Sequence, residues 1–154
     1  MHGGAENEVS GICERLLKIT GDALLSDDFD KFAACFQLPY FIATSDHKAS
    51  IDTPEAFREL FDRTICDFRL KGVTDLVRVC ESSEYRSETQ IGSTHVTHLM
   101  CAAQRITDPY PTFSTIELID GEWKITSSQY ALDKNMAVGA ALNALNANAP
   151  AKQT

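Results

Sequence analysis

The hydrophobic positions of this chain change period partway along. From residue 8 to 25 they recur at Val9, Ile12, Cys13, Leu16, Ala23 and Leu24, the three-and-four spacing of one helix face. Gly21 weakens that helix without excluding it. Ser26 and Asp27 can cap a second, short helix with apolar positions at Phe29, Phe32, Ala33 and Phe36, and Pro39 ends it. Residues 40–44 then read as a strand, 45–48 as a turn and 49–52 as a return strand. Thr53-Pro54-Glu55 starts another helix: a capping hydroxyl, proline at the first helical position and an acid in the first turn. Phe57, Leu60, Phe61, Thr64, Ile65 and Phe68 give it an aromatic face, and Gly72 is its stop signal. After Gly72 the runs become β-type, over 74–86, 89–105 and 112–130.

The last run, TFSTIELIDGEWKITSSQY, contains Asp120-Gly121 between two β-prone stretches. Both central residues of a type I′ turn need positive φ, so this pair predicts a two-residue hairpin. The register follows: Leu118 faces Trp123, Glu117 faces Lys124, Ile116 faces Ile125 and Ser114 faces Ser127. Alternation puts Leu118, Trp123, Ile116 and Ile125 on a core face and Glu117, Lys124, Thr115 and Thr126 on the other. Towards one end the core face turns polar, at Thr112, Ser114, Ser127 and Gln129. Such a change predicts a cavity there.

Helices come first and strands second, which predicts an α+β fold: a curved, cone-shaped antiparallel sheet packed against three N-terminal helices. Residues 1–132 form a single domain in this reading, and 133–154, rich in Ala and Asn, a weakly helical or disordered tail. The 154 residues are enough to bury a core without staples. A net charge of −8 disfavours nucleic acid and anionic membrane surfaces. No apolar run approaches the ~20 residues that span a bilayer, and the first residues lack the basic and apolar blocks of a secretory signal. Five dispersed cysteines, with no CxxC, fit a reduced, cytoplasmic protein; Cys13, Cys35 and Cys66 fall on or beside apolar helix faces and read as core.

The segments LLSDDFDKFAACF at 24–36, TPEAFRELF at 53–61 and IDGEWKITSSQYAL at 119–132 resemble the nuclear transport factor 2-like superfamily, in its polyketide-cyclase-like (SnoaL-like) branch. The similarity spans roughly residues 8–132. It implies a cone with an open mouth and a homodimer through the outer sheet face. It implies no single reaction, because the superfamily holds isomerases, dehydratases, cyclases, transport adaptors and many proteins of no known activity. The ketosteroid isomerases of that superfamily use a tyrosine, a carboxylate base and a late acid. Those positions fall here near Thr20, near Thr44 and near Phe113 or Ser114, and none matches.

His95 and His98, three apart on a strand, point to opposite faces, so they cannot form one metal site as a local pair. One of them faces inward, where it could act as a general acid or base or sit as a hydrogen-bonded strand residue. Asp46 or Glu84 would be its carboxylate partner; Asp46 could equally bond its own turn backbone. The candidate catalytic residues are thus His98, His95 and Asp46. The candidate ligand-binding residues are Tyr40, Thr44, Phe57, Phe61, Thr112, Ser114, Trp123, Ser127 and Gln129. No phosphate loop, nucleophile elbow, HExxH or dinucleotide fingerprint is present, so neither a cofactor nor a metal is expected. The sequence predicts a binding protein for a small apolar or amphipathic ligand. The alternatives are a cofactor-independent isomerase, cyclase or lyase, and a homodimeric interaction domain without chemistry.

Overall fold

The computed structural model describes residues 2–45 and 47–131, with side chains from residue 7 onward. The expectations for Asp46 and for the tail at 133–154 lie outside the described residues. The elements run α1 (His2–Ser26), α2 (Phe29–Ala33), β1 (Phe36–Ala43), β2 (Lys48–Ile51), α3 (Pro54–Lys71), β3 (Asp75–Ser87), β4 (Gln90–Cys101), β5 (Gln104–Arg105), β6 (Tyr110–Ile119) and β7 (Glu122–Tyr130).

The signals around α3 all act as their chemistry requires. Thr53 Oγ1 accepts the Ala56 N–H at 3.1 Å, and Gly72 closes the helix at φ 73°, a conformation that glycine adopts without Cβ strain. All six residues of the expected face are buried. The cap of α2 is Asp28 rather than Ser26 or Asp27: its carboxylate accepts the Lys31 N–H at 3.1 Å. Asp27 instead turns the chain at φ 58° and meets Arg69 at 3.0 Å. The helix also stops earlier than expected. Phe36 opens β1, and Pro39 lies within that strand, in a stretch where the pairing with β7 is irregular between Phe36 and Phe41. An irregular stretch tolerates a residue with no N–H to donate.

The sheet order is β2-β1-β7-β6-β4-β3, with β5 on β4. It is curved and unclosed, and it is mixed rather than antiparallel throughout, because β1 runs parallel to β7. Turn signals link strands that follow each other in sequence. They say nothing about the second partner of β1, which comes from the far end of the chain. Register shifts interrupt β3 against β4 and β6 against β7; such bulges bend the strands that carry them. α1 packs along the concave face, burying Val9, Ile12, Cys13, Leu16, Thr20 and Ala23. Cys35 is buried as expected, but Cys66 on α3 is exposed. Its place beside the apolar face is not on it. No helix among the described residues is long and apolar enough to cross a membrane.

Candidate functional site

Between the helices and the concave sheet lies a cavity of about 70 Å³. A buried water needs ~10–15 Å³ by the same measure, so the space holds several waters or a small ligand. Its apolar wall is aromatic. The Phe57 ring lies 5.0–5.9 Å from those of Phe29, Phe32, Phe36 and Tyr40, and Phe61 lies 5.0 Å from Phe32. Leu16, Leu17, Leu24, Leu60, Ile42, Ile116 and Ile125 extend this wall. Offset and edge contacts of this kind hold the rings in fixed positions.

Polar groups enter from the sheet. Ser93, His95, Ser114, Ser128, Tyr40 and Tyr130 line the cavity, with Thr20 of α1, Thr64 of α3 and Arg78 of β3. His95 is 4% exposed, and its Nε2 has no hydrogen-bond partner among the described residues. Thr112 Oγ1 is likewise buried and unpartnered, and Thr112 is the residue opposite His95 on β6. Two orphaned buried polar atoms on paired residues are unusual, since such groups are nearly always satisfied. Burial, and then the charge of Arg78, push the His95 pKa down to about 3; the ring is therefore neutral near pH 7. Burial raises Tyr40 and Tyr130, whose hydroxyls interact with each other and with Ser128.

Arg78 is the full charge in this wall. Its Nη1 donates to Thr20 Oγ1 at 2.7 Å and to the Leu17 carbonyl at 3.2 Å. Thr20 Oγ1 in turn donates to the Leu16 carbonyl at 2.8 Å, which leaves its lone pairs for the guanidinium. No Asp or Glu among the described residues lines the cavity, and none forms an ion pair with Arg78.

The structure gathers five of the expected site residues, Tyr40, Phe57, Phe61, His95 and Ser114, on one cavity. Others fall elsewhere. His98 is on the opposite sheet face, across from Val77. Thr44 belongs to the β1–β2 turn, where its Oγ1 accepts the His47 N–H at 3.1 Å. Glu84 is exposed on β3 and cannot serve His95. Trp123 packs near Tyr85, with ring centres 6.1 Å apart, and borders an outer groove with Arg15 and Leu16. Ser127 and Gln129 lie on the outer face, in a shallow depression with Phe41 and Phe113. Their displacement has one cause. The hairpin keeps its expected register from Ile119↔Glu122 to Ile116↔Ile125, then shifts so that Thr115 pairs with Ser127 and Ser114 with Ser128. Thr126 is the extra residue; a single inserted residue exchanges the faces of everything beyond it. Ser128 and Tyr130 therefore take the inward places. Arg78 was not singled out in the sequence. Its signal is a charged residue at an inward position of β3, between Leu76 and Cys80.

No protein-family model matches this chain, and no curated protein matches it. Solved structures do. An NTF-2-like protein of unknown function from Shewanella oneidensis aligns with TM-score 0.59 at 14% identity, over 79% of this chain and 98% of that one. An NTF2-like protein with a cystatin-like fold from Novosphingobium aromaticivorans aligns with TM-score 0.60 at 14% identity, over 88% of each. A candidate scytalone dehydratase from the same organism aligns with TM-score 0.54 at 16% identity, over 77% of this chain and 80% of that one. The three helices and the curved, unclosed sheet are those of this group: the chain has the nuclear transport factor 2-like fold.

Proposed function

We propose that this chain binds a small apolar or amphipathic molecule in the cone between its helices and its sheet. The observation that carries this reading is the composition of the cavity wall: aromatic and aliphatic side chains from the helices and from β1, β6 and β7, with a few polar groups, most of them from the sheet. Concave, largely apolar pockets with a few placed polar groups are the usual form of a small-molecule site. Ligand-induced stabilisation tests it. Benzyl alcohol, a neutral amphiphile, is expected to raise the Tm saturably, by the stabilisation that follows from occupancy. Ser114→Leu, which fills the cavity, is expected to keep the far-UV spectrum and lose the response. An unmoved Tm, or an equal response in the filled variant, contradicts the reading.

A histidine-based isomerase, cyclase or lyase is not the reading we adopt. General-base catalysis needs a pKa near the working pH and a group to orient the ring. His95 is held far below that range, and no carboxylate among the described residues, which do not include Asp46, lines its cavity.

We further propose a homodimer through the outer sheet face. Phe41 on β1 is 52% exposed, and Val77 and Val79, across the sheet on β3, are 41% and 49% exposed; burial of these apolar side chains would stabilise association. The net charge of −8 favours neither nucleic acid nor an anionic membrane as partner. The five free thiols support a reducing compartment, and with it a cytoplasmic location.

A further inference from the structure

We propose that the ligand of this cavity is a small carboxylate with an aromatic or unsaturated body, its anionic head held by Arg78 and its body against Phe32, Phe57 and Phe61. This deepens the ligand-binding reading and rests on it. Three observations carry it. The first is the distribution of charge. The chain has 22 acidic residues against 14 basic ones, yet no acid among the described residues lines the cavity, while a guanidinium does. Arg78 is half-buried, and a guanidinium on the wall of a largely apolar cavity, with no carboxylate on that wall, draws an anion to it.

The second is how Arg78 is held. Thr20 and the Leu17 carbonyl both take Nη1, so the guanidinium is fixed by one nitrogen. Nε and Nη2 keep N–H groups for an incoming oxyanion, and a carboxylate matches that fork. Arg78 also borders an outer groove with Glu14, Asp22 and Asp75. None of these three carboxylates forms an ion pair with Arg78, and all three lie on the outer groove rather than on the cavity wall.

The third is the unpartnered histidine. His95 Nε2 is deeply buried and without a partner among the described residues, and the residue lines the same cavity as Arg78, Tyr40, Tyr130 and Ser128. A neutral imidazole offers one N–H, and the hydroxyls offer others. Lining one cavity, they are donors available to an acceptor-only head group. The size of the space fits a small ligand and not a lipid or a peptide.

Calorimetric titration of the full chain with benzoate and trans-cinnamate, and with benzamide and cinnamamide as neutral isosteres, tests this. The expected result is at least tenfold tighter binding of a carboxylate than of its amide at pH 7. Arg78→Gln is expected to bring carboxylate affinity down to that of the amide, and Arg78→Lys to keep part of the preference. Retained melting and amide binding in Arg78→Gln show that the fold and the pocket survive. Amides that bind as well as or better than carboxylates overturn the anion assignment and leave the pocket reading standing. So does carboxylate affinity that Arg78→Gln does not change. Binding of neither class, together with no stabilisation by benzyl alcohol, overturns both.

Discussion

His95 is the residue where burial and charge act most strongly together. An exposed imidazole titrates near 6.5, and in the folded chain it titrates at about 3. Between those values the unfolded chain binds a proton that the folded chain does not. Stability therefore rises with pH across the window and is lost as pH falls through it, by at most roughly 1.4 kcal/mol per pH unit. Urea unfolding at pH 7.0 and pH 4.5 should show this loss in the native chain and a smaller one in His95→Gln. Parallel behaviour of the two would show that the ring is not buried uncharged. The strand period made it legible that His95 and His98 face opposite ways. Which one faces inward was not legible, because that depends on the register of β4 against α1 and β6. Arg78 was hidden for a related reason: a lone arginine in a strand reads as outward unless the strand's core face is already known.

At the scale of elements, the sharpest sequence signal and the largest miss lie in one hairpin. Asp120 and Gly121 have φ of 52° and 82°, the type I′ turn that their identities predict. Gly121→Ala forces a Cβ into that conformation and should cost about 1 kcal/mol, measured by urea unfolding; no change would mean that the turn rearranges freely. The bulge at Thr126 left no trace in the residue pattern. Thr, Ser and Gln are polar on either face, so no apolar residue marked the change of phase. The element boundaries that hydrophobic periodicity fixed, above all α3, were legible because a wrong phase there would expose phenylalanines. In α1, Gly21 is a weak point with room: an added Cβ would meet Arg78 atoms only at 3.8–3.9 Å, ordinary contact distances. Gly21→Ala should stabilise the chain by about 0.5–1 kcal/mol. A loss of stability would show that α1 and β3 sit closer than described.

For the whole molecule, the order of helices and strands carried the fold, and the cone follows from curvature over three helices. The parallel pairing of β1 with β7 was not legible, since no local signal joins segments so far apart. The outer face and the cavity are opposite sides of one sheet, which gives them separate tests. The dimer is expected to dissociate on dilution, with a light-scattering mass falling from twice the chain mass, and Phe41→Glu should shift it to monomer at micromolar concentration. A mass that stays at one chain throughout removes the interface. Whether the cavity is a ligand site is decided by amide chemical-shift mapping during titration with benzyl alcohol. Saturable shifts clustered at Phe57, Phe61, His95, Ser114 and Ser128 are predicted. Shifts confined to the outer sheet face, or no saturable shifts, would contradict it.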